Sequence, residues 1–251
     1  MLGERVPTEP SPTPTTTHIL RGKYVTLSGL KPEDTPTLWT GLGMPNEALF
    51  DHLPMEAPKD LEEMTRFFDG LSMERGLMMY AIRADPSRLL PRGVEHSGDS
   101  HHTTVLGIIG YLNIETANRA IEIGAVIFGP SLARTAAATE ASYLLIRHAF
   151  GADEHALAPP YRRVVWKCNS LNHASGRAAE RLGFVYEGCF RKHMIVKGCN
   201  RDSNWYSMVD DEWPVVKTGL EAWLAEGNFD EQGKQKETLN ALREVAKVSS
   251  Q

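Results

Sequence analysis

Apolar residues recur along the chain at two spacings, one helical and one alternating. The helical spacing predicts helices that bury one face, and the alternating spacing predicts half-buried strands. Gly and Pro residues separate most of these segments and indicate turns. The resulting order is β-α-α-β-β-β-α-β-α-β-β, with strands at 18–30, 77–85, 105–115, 120–128, 161–169, 184–196 and 203–213 and helices at 31–43, 59–75, 135–150 and 172–183.

The middle of this order determines the type of sheet. A strand that leads through a helix into the next strand implies one right-handed parallel crossover, whereas the hairpins on either side are antiparallel. We therefore predict a single α/β domain, of the α+β kind, with a mixed and mostly antiparallel sheet of about seven strands flanked by helices.

Three polar segments lie outside this pattern. Residues 1–17 are rich in Pro and Thr and are expected to form a disordered leader. Residues 85–104 are too long for a hairpin turn and are expected to form a surface insertion; their histidines lack the accompanying ligands of a metal site, so no metal is predicted. Residues 216–251 are expected to form a polar helical extension, which leaves 18–215 as the domain.

Composition and charge argue against several classes of protein. The 251 residues are 41% hydrophobic and 24% charged, as in ordinary globular domains rather than disordered or collagen-like chains. The net charge of −5 argues against a uniformly basic surface for nucleic acid, and no apolar run is long enough to span a membrane. Three cysteines without a CxxC pair suit a reducing compartment, so a cytoplasmic location is expected.

Two segments carry candidate chemistry. In the first, the apolar strand Ile121–Phe128 leads through Gly129 and Pro130 into an alanine-rich helix. The free amides and positive end of such a helix favour a phosphate group, and the small side chains allow it to approach the backbone closely. Tight packing of the alanines against a sheet explains the same residues without a ligand.

The second segment runs from Asn172 to Phe184. Asn172 suits the N-cap of a helix, Ser175 falls in the first turn, and Gly183 suits the left-handed position that ends the helix. This is a well-formed helix, and it also places an amide and a hydroxyl beside the end of the preceding strand. Residues 161–201 contain nine Lys or Arg and two acidic residues, a basic part of an acidic protein that either attracts phosphates or forms a solvated surface.

Together the two segments resemble the acetyl-CoA-binding signature of the GNAT N-acetyltransferase superfamily, and in particular the branch that contains the bacterial ribosomal-protein alanine N-acetyltransferases. The resemblance covers roughly residues 19–215. It implies acetyl-CoA as the acyl donor and a primary amine as the acceptor. The motifs that carry it are RGKYVTLSGL, IEIGAVIF, ATEASYLLIRHAF, YRRVVWKCNSLNHASGRAAERLGF and GCFRKHMIVKGCNRDSNWYSMVDDEW.

One motif departs from the family pattern. The family's pyrophosphate loop has Arg or Gln, two further residues, Gly, one residue, and then Gly or Ala; the three positions here are Ala133, Ala136 and Ala138. Of these, Ala138 alone matches. Alanine still permits helical backbone, so the amides remain available for phosphate, and Arg134 can replace the missing polar side chain.

The resemblance also implies which residues bind acetyl-CoA. The strand backbone at Val126, Ile127 and Phe128 is expected to pair with the pantetheine arm, and Asn172 to form a hydrogen bond with it. The other expected cofactor-binding residues are those at the start of the alanine-rich helix and the serine of the later helix, namely Arg134, Thr135, Ala136, Ala137, Ala138, Thr139 and Ser175.

Two residues are predicted to carry the proton transfers. Many relatives use a tyrosine as the acid, but its position here is Ala179, so Ser175 is assigned as proton donor or hydrogen-bond partner of the leaving thiolate, with helix capping as the alternative. Glu122 is the only charged residue in its apolar strand, where poor solvation would make a carboxylate a better base. It is assigned as the base, and a solvent-facing residue or a partner of Arg119 is the alternative.

The sequence does not specify the acceptor beyond a primary amine, on a peptide N-terminus, an amino acid or a small molecule. Polar and aromatic strand residues are candidates for its pocket, although core packing is their commoner role; they are Tyr111, Asn113, His193, Asn204 and Trp205. A catalytically idle acyl-CoA-binding or interaction module is the alternative function. No nucleic-acid or membrane partner is expected, and the protein is expected to be a monomer or a homodimer.

Overall fold

A sheet of eight strands forms the centre of the fold. This computed structural model describes residues 3–74, 76–86, 89 and 103–249. The spatial order of the strands is β1-β2-β3-β4-β5-β6-β8-β7, and every neighbouring pair is antiparallel except β5–β6, which confirms a mixed, mostly antiparallel sheet. The strands are β1 (Leu20–Arg21), β2 (Thr26–Gly29), β3 (Met78–Ala84), β4 (Thr104–Glu115), β5 (Ala120–Phe128), β6 (Arg163–Asn169), β7 (Val185–Val196) and β8 (Cys199–Val209).

Helices cover both faces of the sheet. Strand alternation sends Ile109 and Tyr111 to the face covered by the later helices, and Ile108 to the face covered by the first two. Burial of apolar side chains on both faces holds these layers together. The helices are α1 (Thr35–Leu42), α2 (Leu61–Glu74), α3 (Ala136–Ala149), α4 (His173–Leu182), α5 (Trp213–Leu224) and α6 (Leu239–Ser249), with 3-10 turns at Pro32–Asp34, Glu47–Phe50 and Glu226–Asn228.

The predicted first strand is divided into β1 and β2 by a buried carboxylate. Glu140 on α3 is 4% exposed, and its carboxylate accepts hydrogen bonds from the backbone N–H groups of Lys23, Tyr24 and Val25 at 2.8, 2.6 and 2.9 Å. These amides turn towards the helix and leave the sheet. Gly22 is required beside them, because a Cβ there would lie 2.4 Å from the carboxylate.

The parallel strands β5 and β6 pair over only part of their length. The pairs run from Ala120 with Arg163 to Ile123 with Trp166, after which both strands continue without pairing to each other. Ala125, with φ of +50°, lies in a bulge of β5 against β4, and a bulge bends the strand that contains it. The diverging strands leave a wedge-shaped opening between them.

The leader is in contact with the domain over part of its length. The hydroxyl of Tyr161 donates to the carbonyl of Pro12, and that of Tyr80 donates to the carbonyl of Thr15, at 3.0 Å in each case. Proline removes amide donors but keeps carbonyl acceptors, so core tyrosines can hold a segment that cannot pair as a strand. Pro12 and Thr15 of the leader are thus hydrogen-bonded to the domain.

The C-terminal segment also packs against the domain. α5 begins at Trp213, before the expected boundary at 216, and buries Leu220 and Trp223 in the core that α3 shares. The expected insertion at 85–104 and its histidines fall mainly outside the described residues. No helix in the described part of the chain is long and apolar enough to cross a membrane.

Replacing Glu140 with Ala is expected to lower the free energy of unfolding by about 3 kcal/mol, because three amide donors lose a charged acceptor. Urea denaturation followed by circular dichroism measures this loss. Glu180→Ala, at an exposed position on α4, is the control and is expected to stay within about 0.5 kcal/mol. A loss below about 1 kcal/mol for Glu140→Ala would contradict the role given to this carboxylate.

Candidate active site

Two clefts meet at the opening between β5 and β6. The first, which we call the helix cleft, has a volume of about 1400 Å³ and is lined by the start of α3, one face of α4 and residues between 223 and 235. The second, the hairpin cleft, has a volume of about 1320 Å³ and lies between β4–β5, residues 53–55 and the β7–β8 hairpin. The clefts communicate, because several residues line both: Leu53, Gly124, Ala125, Lys167 and Arg201.

The start of α3 presents backbone donors to the helix cleft. Thr135 is the N-cap; its hydroxyl accepts from Ala138 N at 3.2 Å and donates to Leu132 O at 2.7 Å. The amides of Ala136 and Ala137 have no acceptor among the described residues, and both residues line the cleft. Amides without partners at the positive end of a helix favour an anionic ligand.

Cationic side chains line the same cleft as these amides. Arg134, Arg177 and Arg181 all line the helix cleft. The Arg181 guanidinium donates to Thr139 Oγ1 at 3.0 Å and lies 4.6 Å from the centre of the Trp223 ring. Burial lowers the pKa of Arg181, and a negatively charged ligand would stabilise its protonated form. The helix cleft is therefore suited to a ligand with several phosphate groups, such as CoA.

The open edge of β5 borders the helix cleft. Val126 and Phe128 line this cleft, whereas the Ile127 side chain is buried on the other face and lines the hairpin cleft. β5 has no strand on this side beyond Ile123. Its backbone can therefore pair with an extended ligand, as a sheet edge pairs with an added strand.

The start of α4 forms the opposite wall. The Asn172 side chain caps the helix through Oδ1, which accepts from Ser175 N at 3.0 Å. The Ser175 hydroxyl accepts from the indole Nε1 of Trp166 at 3.0 Å, which leaves its own proton for the Cys168 thiol or for a ligand. Ser175 lines the cleft and is oriented by Trp166.

Glu122 lies in the hairpin cleft and is 6% exposed. Its Oε2 accepts from Asn113 Nδ2 at 2.8 Å and lies 2.7 Å from Lys167 Nζ. Its Oε1 has no hydrogen-bond partner within the part of the chain that the structure describes. The carboxylate is thus buried rather than solvent-facing, and its ionic partner is Lys167 rather than Arg119.

Aromatic residues of the β7–β8 hairpin form a wall of the same cleft. The Trp205 ring stacks on Phe190 at a centroid distance of 4.5 Å. The Lys167 ammonium forms a cation–π contact with the same ring, 3.8 Å from its centre. His193 Nδ1 lies 2.9 Å from Ser203 Oγ. The Trp205 Nε1 is buried and has no acceptor among the described residues. The structure thus brings His193 and Trp205 into one cleft with Glu122.

Two of the expected acceptor residues lie elsewhere. Tyr111 is fully buried beneath α3, where its hydroxyl donates to Leu145 O and burial raises its pKa. Strand alternation is the reason, because Leu112 of the same strand faces the hairpin cleft. Asn204 alternates in the same way with Trp205 and lines neither cleft.

Sequence reasoning missed residues at the junction of the clefts. The sequence marks Lys167 and Arg201 only as members of a basic segment. Lys167 could have been found as a site residue, because a single lysine within a mainly apolar strand is unusual. Burial lowers the pKa of Arg201. Trp223 and Phe229 also line the helix cleft, and their only sequence signal is that they are aromatic residues in a polar tail. Among the described residues, no group of three or more His, Cys, Asp or Glu side chains could hold a metal ion.

Comparisons with known proteins agree with this geometry. The family model described as an acetyltransferase (GNAT) domain matches residues 25–185. The ribosomal-protein-serine acetyltransferase of Escherichia coli is 30% identical over 107 residues, which are 43% of this chain and 56% of that protein, so the match spans about half of the relative's length.

Solved structures give the same result. The crystal structure of a GCN5-related N-acetyltransferase from Brucella melitensis has a TM-score of 0.82 and 35% identity, with 94% of this chain and 98% of that chain covered. An acetyltransferase of the GNAT family from Bacillus anthracis shares the fold, with a TM-score of 0.58 at 15% identity, covering 77% and 99% of the two chains. Since the family model covers more than half of its residues, the chain belongs to the GNAT acetyltransferase family.

Proposed function

We propose that the protein transfers the acetyl group of acetyl-CoA to a primary amine, by direct attack of the amine on the thioester. The observation that carries this proposal is the meeting of two clefts at one opening in the sheet. One cleft has the anion-binding start of α3, and the other has the buried carboxylate of Glu122. An acetyl donor in the helix cleft and an amine in the hairpin cleft would be held side by side, so their reaction would become effectively unimolecular.

The helix cleft supports acetyl-CoA as the donor, which would supply an acetyl group already activated as a thioester. Its alanine side chains are small enough for phosphate to approach the amides, and Arg134 stands next to Ala133, where the family has a polar side chain. The residues proposed to hold the phosphates are Arg134, Thr135, Ala136, Ala137, Ala138, Thr139 and Arg181, and those proposed to hold the pantetheine arm are Val126, Phe128 and Asn172.

Glu122 is proposed as the base. Both of its polar contacts, from Asn113 and Lys167, are made to Oε2, so Oε1 is left to accept the amine proton directly or through a water. Lys167 is held in place by the Trp205 ring and balances the charge of the carboxylate. These contacts orient the carboxylate towards the acceptor.

Ser175 is proposed to stabilise the leaving sulfur. Because its oxygen already accepts from the Trp166 indole, its hydroxyl proton is available to a sulfur atom in the helix cleft. A serine hydroxyl is a weak acid, so its main contribution is a hydrogen bond, and solvent can supply the proton.

The proposed acceptor is a primary amine on a peptide N-terminus, an amino acid or a small molecule. The E. coli relative is named for acetylation of a ribosomal protein at serine, which supports a peptide N-terminus. The hairpin cleft that contains Glu122 is also lined by the apolar side chains of Leu112, Met55 and Met194, which supports an amine next to an apolar group.

Replacing Glu122 with Gln is expected to lower kcat by about 10²-fold or more, since the amine loses its proton acceptor. Release of the CoA thiol, followed with a panel of amines, measures the rate. CoA affinity measured by calorimetry is expected to stay within about twofold, because Glu122 lies outside the helix cleft. The matched control is Glu115→Gln, which changes an exposed carboxylate in the same cleft that accepts from Asn118.

Two outcomes would contradict the proposal. CoA binding without turnover on any amine would favour a catalytically idle CoA-binding module. A loss of activity in Glu115→Gln as large as that in Glu122→Gln would show that cleft charge, rather than a base at one position, supports the reaction.

Replacing Ser175 with Ala is expected to lower kcat about tenfold while KM for the amine changes little, because the hydrogen bond to the leaving sulfur strengthens as charge develops there. Steady-state kinetics with the best amine of the panel measure both constants. The control is Ser170→Ala, in the turn between β6 and α4. An unchanged kcat in Ser175→Ala would leave Ser175 with a structural role only.

Cys168 is expected to be unreactive although it lines the helix cleft. Burial raises the pKa of its thiol, so little of the reactive thiolate is present near neutral pH, whereas Cys189 and Cys199 are exposed to the reagent. Iodoacetamide labelling followed by peptide mass spectrometry is expected to modify Cys168 at least about ten times more slowly than the other two. Accumulation of acetyl-Cys168 with acetyl-CoA would overturn direct transfer to the amine.

A further inference from the structure

The β7–β8 hairpin extends beyond the strand that supports it. β6 pairs with β8 from Ser203 onwards, so the earlier part of β8 and the facing end of β7 project past the sheet. The two strands are joined at the tip by a two-residue turn, Lys197-Gly198, with φ values of +50° and +72°. These values are typical of a type I′ turn, which gives the tip a fixed direction.

Lys197 links this tip to the opposite wall of the hairpin cleft. Its Nζ donates to the carbonyl oxygen of Phe50 at 2.9 Å and lies 3.5 Å from Glu56 Oε2. The Phe50 side chain is 1% exposed in the core under α1 and α2, so this anchor is firmly held. Glu56 is largely exposed, which makes the bond to the carbonyl the better shielded of the two.

The bridge determines how far the two walls can separate. Leu53 and Met55 follow Phe50 on one wall, and His193 and Met194 precede Lys197 on the other. Because the tip is attached through one flexible four-carbon stem, the walls cannot part further than that stem reaches while the bond is intact.

Strand register locates the bridged end. Val209 pairs with Arg163, which in turn pairs with Ala120, at the end of the hairpin cleft that is remote from the tip. Ser203 pairs with Asn169 at the other end, where β5 and β6 diverge and the two clefts communicate. The bridge therefore lies towards the end where the amine would meet the acetyl donor.

We propose that Lys197 is a specificity-determining residue, whose bridge limits the bulk that an acceptor carries next to its amine. This inference rests on the proposed function, since it concerns the acceptor of that reaction. Leu53, Met55 and Met194 contact the group attached to the amine-bearing carbon, and the bridge keeps these walls from parting to admit a large one.

The test compares glycinamide with phenylalaninamide, which present the same α-amine with different bulk. In Lys197→Met, which keeps an unbranched side chain but removes the donor and the charge, the ratio of kcat/KM for phenylalaninamide to that for glycinamide is expected to rise roughly tenfold. Lys197→Arg keeps the donor and charge and is expected to retain the wild-type ratio. Lys192→Met is the matched control, because Lys192 is exposed on the same hairpin with φ of +51°.

A ratio in Lys197→Met within about twofold of the wild-type value would overturn this proposal even if the rates with both amines fall, because loss of structure alone lowers the two rates alike. An equal rise in Lys192→Met would overturn it as well. Hydrogen exchange at the hairpin tip is expected to be faster in Lys197→Met, and unchanged exchange would show that no bridge holds the walls. Absence of turnover by the wild type with every amine would instead contradict the proposed function.

Discussion

The end of pairing between β5 and β6 after Ile123 is the constraint on which the rest of the site depends. Where two neighbouring strands stop pairing with each other, the N–H and C=O groups on their facing edges need other hydrogen-bond partners. α3 follows β5 and α4 follows β6, and the first turns of both helices line the cleft beside the gap. One short register therefore places an open sheet edge and two helix N-termini around the same space.

Lys167 connects the charges of the two clefts. It is the first residue of β6 beyond the pairs with β5 and shares a face with Val165, the partner of Glu122. Its ammonium therefore reaches Glu122 on the neighbouring strand, and it also lies over the Trp205 ring. A buried ion pair loses solvation on both sides and is weak evidence for stability. Lys167 and Arg201 both line the boundary of the two clefts, so they place positive charge where the proposed donor and acceptor would meet.

Sequence patterns predicted the helices and strands, because buried apolar positions repeat every few residues. They did not predict contacts between residues that lie far apart in the sequence. The cap Asn172 acts within its own helix and could be predicted from a single residue. The contacts of Glu140 are made more than a hundred positions away, so the break between β1 and β2 had no local signal. In β4, apolar residues occupy both faces, and alternation alone did not show which face Tyr111 takes.

α3 unites these features, because both of its surfaces are engaged. Its first turn presents amides to the helix cleft, while Glu140 on its buried side holds the turn at Lys23. Lys23 in turn lies 2.7 Å from Glu226 of the C-terminal segment, and both residues line that cleft. Glu226 and Asp230 of this segment line the cleft together with Arg177 and Arg181 of α4. The C-terminal segment thus forms part of the wall of the cleft to which α3 presents its amides.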